Sequence, residues 1–108
     1  YHPMCVAPAD GQVDDRPFCQ AVIGGPLCES GDIFTQEEGG YVSARQLPEA
    51  RVGDYLVIEC AGAYSFVMSS NYNSKPMAAE VLICNGQPHL VRARQTYEDL
   101  LRGESIPS

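Results

Sequence analysis

Short apolar runs separated by glycine, proline and acidic pairs recur along the chain, a pattern that predicts β-structure and leaves few stretches long enough for a helix. Met4 to Ala7 and Phe18 to Ile23 read as strands, divided by Pro8-Ala-Asp-Gly11 and the solvated pair Asp14-Asp15. Gly24-Gly25-Pro26 stops the second run. Asp32 to Thr35 reads as a further short strand, and Gln36-Glu-Glu-Gly-Gly40 as the turn of a hairpin returning through Tyr41-Val-Ser-Ala44. After a break at Pro48 and Val52-Gly53-Asp54, Tyr55-Leu-Val-Ile58 is a nearly continuous apolar run, as expected of a central strand covered on both faces. Ala79 to Cys84 and His89 to Arg92 flank Asn85-Gly86, whose tolerance of positive φ marks a type I′ hairpin turn.

Two segments break this pattern. Ala63 to Ser69 predicts a short helix after Gly62. Thr96 to Arg102 predicts a C-terminal helix of about two turns: Thr96 can cap backbone N–H groups, Glu98 and Asp99 sit at the positive end of the dipole, and Gly103 can end it left-handed. With about six or seven short strands and almost no helix, the expected fold is all-β, a Greek-key-like barrel or sandwich. The length predicts one domain, residues 1–108, and no internal repeat is visible.

Charge and cysteine usage narrow the function. Fourteen acidic against seven basic residues give a net charge of −7, which offers no electrostatic footprint for nucleic acid. The best apolar window, Tyr55 to Tyr64, is interrupted by Glu59 and Gly62, so no membrane span is expected. Asp10, Asp14, Asp15 and Arg16 stand where a secretory signal would be apolar, and Tyr1 in place of Met suggests an excised segment. The five cysteines, at 5, 19, 28, 60 and 84, form no Cys-x-x-Cys pair and have no histidine at ligand spacing. No disulfide or metal site is expected; the thiols read as reduced, mostly small apolar fillers in a cytoplasmic protein.

The signatures of phosphate loops, dinucleotide sites, zinc proteases and serine hydrolases do not occur in the sequence. His2 and His89 have no neighbour to orient them as a base, and Lys75, the one lysine, lies in a Ser-Lys-Pro turn where a solvated charge is expected. Two segments remain. In Pro26-Leu-Cys-Glu-Ser-Gly-Asp32 a thiol and two carboxylates crowd a loop bounded by glycines. The plainer reading makes Cys28 a buried apolar filler beside solvated Glu29 and Asp32; the sharper one makes the loop a carrier of acid and base groups. In Gly62-Ala-Tyr-Ser-Phe66, Tyr64 is a core aromatic with a satisfied hydroxyl, or a phenol that donates to a phosphate.

Taken together and in order, Cys28-Glu-Ser-Gly-Asp32, Gly62-Ala-Tyr-Ser-Phe-Val-Met-Ser-Ser-Asn-Tyr-Asn-Ser-Lys-Pro76, Ala79-Glu-Val-Leu82 and Arg94-Gln-Thr-Tyr-Glu-Asp-Leu-Leu-Arg-Gly103 resemble the C-terminal domain of the diaminopimelate decarboxylases. These are pyridoxal-phosphate enzymes of the alanine racemase-like fold. The resemblance runs through nearly the whole chain. It implies an N-terminal α/β barrel holding pyridoxal 5′-phosphate and a C-terminal β-domain completing the site, of which this chain is the second part only. The implied reaction converts meso-2,6-diaminopimelate to L-lysine and carbon dioxide.

Under that resemblance Cys28 matches the family cysteine that enters the neighbouring protomer's site and protonates the substrate carbon once carbon dioxide has left. Glu29 matches the carboxylate that holds the substrate's distal amino group across a homodimer interface, and Tyr64 the tyrosine near both substrate and cofactor phosphate. Asp32 matches an acidic position that supports the interface. Asn71, Tyr72 and Asn73 match a site-lining or interface segment, or form only a polar turn. The family's Schiff-base lysine, phosphate loop and substrate arginines are not in this sequence, so the 108 residues alone are expected to be inactive. Related ornithine, arginine or carboxynorspermidine decarboxylases are the alternatives, with a non-catalytic β-barrel interaction module beyond them. Glutamate at 29 favours diaminopimelate over the aspartate expected in ornithine-type members.

Overall fold

Six strands form among the described residues of this computed structural model, in three antiparallel pairs that share no strand. They are β1 (Met4–Ala7), β2 (Phe18–Ala21), β3 (Arg45–Pro48), β4 (Tyr55–Ile58), β5 (Glu80–Cys84) and β6 (Gln87–Arg92). Residues 2–108 are described; Tyr1, on which the expectation of an excised segment turned, lies outside them. The chain divides into two compact units, Tyr1–Phe66 and Val67–Ser108.

In the first unit β1 pairs with β4, Met4 facing Ile58 and Ala7 facing Tyr55, and β2 pairs with β3, Phe18 facing Pro48 and Ala21 facing Arg45. β1 also packs against β3. Proline at the end of β3 is tolerated because Pro48 faces Phe18 in a non-hydrogen-bonded pair, flanked by the Glu49 N–H bond to Pro17 O at 2.8 Å, so its nitrogen points away from β2. The buried centre is small: Leu47 is 5% exposed, and Thr35, 1% exposed, is satisfied by accepting the Ile23 N–H at 3.1 Å through Oγ1.

A buried charge holds the unit's periphery. The Arg16 side chain, 5% exposed, clamps Asp14 with Nε and NH2, each at 2.6 Å, donates to the Glu49 carbonyl at 3.0 Å, and pairs with Asp54. Asp54 also accepts the backbone N–H of Arg51 at 2.7 Å and of Ala9 at 3.1 Å. One guanidinium thereby ties the 8–17 loop to the turn before β4. The Arg16 hydrogen bonds hold the Asp14 carboxyl down at about 2. The Arg51 N–H, then Arg16, hold Asp54 below the usual carboxylate range.

The second unit is built from local turns. β5 and β6 form a hairpin with Cys84 facing Gln87, closed by Asn85 (φ 51°) and Gly86 (φ 72°), the two positive φ values of a type I′ turn. Arg92 pairs with Glu80 across the strands. The helix α1 (Tyr97–Leu100) opens on a capping box: Thr96 Oγ1 accepts the Asp99 N–H at 3.3 Å, and Asp99 Oδ2 accepts the Thr96 N–H at 2.8 Å. The Thr96 backbone bond, then its hydroxyl, then Arg102 lower the Asp99 carboxyl. Gln95 joins the unit's parts, its Oε1 accepting from Asn71 Nδ2 at 2.6 Å and from the Met77 N–H at 2.9 Å.

Several expectations are corrected. Among the described residues no closed barrel is found, because each strand uses one edge only and the three pairs share no ladder; the structure is strand-rich, as expected of a β-domain. Tyr55–Ile58 is a strand, yet β4 pairs with β1 alone and exposes Tyr55, Leu56 and Val57, so it is not doubly covered by this chain. Asp32 to Thr35 yields only a bridge between Ile33 and Gly24. The Gln36 to Ala44 hairpin is reduced to a Gln36–Val42 bridge around a 3₁₀ turn at Glu38–Gly40. β3 escaped the sequence reading since Arg-Gln-Leu-Pro has no apolar run. The helix near 63–69 is a single turn, Gly62–Ser65, stopped by the extended ψ of Ala63 (132°) and the positive φ of Tyr64 (69°). The helix over 96–102 keeps four residues; Leu101 and Arg102 close tighter bonds to Glu98 and Asp99, and Gly103 turns left-handed.

Candidate active site

The cysteine loop is closed by backbone chemistry at both ends. The Gly24–Ile33 bridge is flanked by bonds from Gly25 N to Asp32 O and from Phe34 N to Ile23 O, both 2.8 Å. Inside that frame Asp32 N donates to Glu29 O at 3.1 Å and Ile33 N to Gly31 O at 2.8 Å, so Pro26 to Gly31 bulges as a short closed loop. The Asp32 carboxylate staples it, accepting the Leu27 N–H at 3.0 Å through Oδ2. That carboxylate occupies the space a side chain would need at Gly25: a Cβ there would fall inside the Asp32 carboxyl group.

At the tip stand the residues with chemistry. Cys28 and Glu29 are both exposed, and Glu29 Oε1 accepts the Gly31 N–H at 3.0 Å, which fixes the carboxylate over the loop. Cys28 is therefore not the buried filler of the plainer reading. The same correction covers the other four cysteines, all exposed, since this small centre has little room for any side chain beyond Leu47 and Thr35.

Tyr64 lies in the same unit, on the Gly62–Ser65 turn. Ala63 (φ −67°, ψ 132°) and Tyr64 (φ 69°, ψ −19°) have the dihedrals of a type II turn, in which the second position is one that glycine or asparagine usually fills. An aromatic residue held left-handed is a strained arrangement of the kind that gathers at functional sites. The Ser65 hydroxyl donates back to Ala61 O and braces the turn. The phenol is 72% exposed, so Tyr64 is not a core aromatic. Asn71 belongs to the second unit and serves its backbone, donating to Lys75 O at 3.0 Å and to Gln95. His2 and His89 are exposed. Among the described residues no group of three or more His, Cys, Asp or Glu could hold a metal, and no helix is long and apolar enough to cross a membrane.

Sequence reasoning missed the staple between Asp32 and Gly25, although glycine-bearing ends on both sides of Cys-Glu-Ser signalled it. It also missed the Arg16 cluster, whose partner Asp54 is 38 positions away and has no local signal.

This strand-rich chain, carrying an outward thiol and carboxylate on a closed loop and a strained exposed tyrosine on a later turn, matches a family model. Residues 1–62 fit the pyridoxal-dependent decarboxylase C-terminal sheet domain, and the chain belongs to that family. Its relatives are named consistently. It is 55% identical over 107 residues to a diaminopimelate decarboxylase of Escherichia coli K12, covering 98% of this chain and 26% of the relative. It is 49% identical over 94 residues to one of Methanothermobacter thermautotrophicus, covering 87% of this chain and 20% of the relative. A crystal structure of a diaminopimelate decarboxylase superposes with a TM-score of 0.88 at 55% identity, over 94% of this chain and 24% of that one. The M. jannaschii enzyme in complex with L-lysine superposes at 0.81 with 32% identity, over 99% and 22%. The chain thus spans about a quarter of the length of these relatives.

The family's cofactor needs an amine to carry it and donors for its phosphate. Tyr64, an exposed phenol, fits a donor. Lys75 does not fit the carrier: it is exposed, where an ammonium keeps its hydration instead of meeting the desolvation that activates a Schiff-base lysine.

Proposed function

We propose that residues 1–108 form the C-terminal β-domain of a diaminopimelate decarboxylase, which converts meso-2,6-diaminopimelate to L-lysine and carbon dioxide. The observation that carries this reading is the exposed Cys28-Glu29 pair on its stapled loop, in a chain 55% identical to decarboxylases of that name. Pyridoxal phosphate, when bound, supplies the electron sink that lets a carboxylate leave the substrate α-carbon.

This chain's residues do the rest. Cys28 Sγ–H gives its proton to the electron pair that carbon dioxide leaves on the α-carbon; the new C–H bond forms on the face the thiol occupies, and the thiolate regains a proton from solvent. Glu29 pairs with the ammonium at the far end of the substrate. In a site closed to water that pairing rejects substrates lacking the group, because the carboxylate would then be left unpaired. Tyr64 donates its hydroxyl to the cofactor phosphate and borders the substrate. The loop reaches the site of the neighbouring protomer in a homodimer, and the carrier lysine comes from the polypeptide this chain lacks, so the 108 residues alone do not turn over. The five thiols suit a reducing, cytoplasmic setting.

In the full-length protein, Cys28→Ala should lower kcat by about 10²- to 10⁴-fold, the contribution of a positioned general acid. Glu29→Ala should raise KM for diaminopimelate far more than it lowers thermal stability. Near-normal turnover in Cys28→Ala removes the thiol from the chemistry, and unchanged KM in Glu29→Ala removes the carboxylate from the substrate.

A further inference from the structure

We infer that Asp32 is a positioning residue, whose carboxylate, seated in the space left by Gly25, fixes where Cys28 presents its proton. The inference rests on the reading of Cys28 as proton donor and concerns how that thiol is aimed. Three observations converge on it. Asp32 Oδ2 accepts the N–H of Leu27, the residue immediately before the cysteine, at 3.0 Å. Asp32 N donates to the carbonyl of Glu29, the residue immediately after it, at 3.1 Å. Cys28 is therefore held from both sides by one residue. The third observation is steric. Gly25 does not have a positive φ, so its backbone would accept alanine; what forbids a side chain there is the Asp32 carboxyl group itself.

Proton delivery is sensitive to a displacement of about 1 Å, because the donor must meet one lobe of the α-carbon. A loop without its staple would still fold and still carry the thiol, but would hold it in several places. The same argument explains why a second acidic residue belongs in the motif without touching substrate.

The arrangement makes an unusual prediction for a double-mutant cycle in the full-length decarboxylase. Asp32→Ala and Gly25→Ala should each lower kcat about tenfold while KM for diaminopimelate stays within about twofold, and turnover in D₂O should give product of mixed configuration at the new C–D bond. The double variant should be no worse than either single one, since removing the carboxylate removes the clash. Asp32→Asn, which keeps an acceptor for Leu27 N–H in the same volume, should restore kcat to within about threefold of the parent. Additive losses in the double variant overturn the inference, as does Asp32→Asn as impaired as Asp32→Ala. Should Asp32→Ala not fold, Asp32→Asn and Gly25→Ala still decide: near-parental kcat in the first with a tenfold loss in the second supports the staple, and any other pairing overturns it. The labelling pattern separates this from the proton-donor reading. If Cys28→Ala retains both turnover and a single product configuration, it is the donor assignment that fails.

Discussion

In Val67–Ser108 the strand pair closes over a two-residue turn and Gln95 reaches back to Asn71 and Met77, whereas in Tyr1–Phe66 both strand pairs and the Arg16 cluster join segments far apart in the chain. The hairpin is closed at Asn85-Gly86 and the helix at Thr96 and Asp99. β1, by contrast, finds its partner only at Tyr55–Ile58, and Arg16 joins segments that meet at Asp54 and Glu49. The difference teaches where the domain is vulnerable. The hairpin turn and the helix cap are each closed by residues a few positions apart, while a single buried guanidinium organises the edge of the first unit. The cysteine loop belongs to the unit held by long-range contacts, and its aim depends on a frame the loop does not itself supply.

The sharpest way to break this contrast is Arg16→Ala. It removes a donor from Asp14 and the Glu49 carbonyl and leaves the Asp54 carboxylate, 7% exposed and still bonded to the Arg51 and Ala9 N–H groups, without the cation that balances its charge. Hydrogen exchange should speed up across residues 45–58, the largest loss of protection in this series, with residues 80–92 little changed. Equal loosening of both stretches would show that the two units do not differ in this way.

Acidification should have the next largest effect. The Asp14 carboxyl is held down at about 2, and Asp54 and Asp99 are held below their ordinary value. Since these groups bind protons more weakly folded than unfolded, their stabilisation is complete above the unfolded value near 4. It is lost as pH falls from about 4 towards about 2. Melting temperature should therefore be insensitive to these groups from pH 7 to about 5 and fall below about 4. Exchange protection should drop first at 45–58, where two of the three carboxylates act. Loss confined to 96–103 would reverse the comparison. The smallest effect is expected of Thr96→Ala, which removes one cap at a cost of about 1 kcal/mol. Faster exchange should stay within residues 95–103; spread to the hairpin would show the local turns to be coupled.

What the sequence made legible follows the same division. Asn85-Gly86 forms the turn its positive-φ tolerance predicts, and Thr96 and Gly103 mark the ends of the last helical segment, shorter though it is than expected. Five of the strands lie on segments the pattern predicts, at residues 4–7, 18–21, 55–58, 80–84 and 87–92, the last beginning two residues before the expected His89. β3 did not announce itself, because Arg45-Gln-Leu-Pro48 is a strand only by virtue of facing β2. Tyr64 is the most instructive case: its residue type pointed more to a core position than to a site, and its 72% exposure on a positive-φ turn overturns the core reading.

The amino-acid order by itself determined the β-rich character, the turn chemistry and the presence of a thiol beside a carboxylate on a short glycine-ended loop. Each of these is written in residues only a few positions apart, where backbone dihedral preference and local hydrogen bonding dominate. Folding in three dimensions alone decided which strands pair, that Cys28 faces outward and that Arg16 meets Asp54. Those outcomes depend on excluded volume and on charges brought together from distant positions, and no local pattern encodes a contact whose partner is supplied by the rest of the fold.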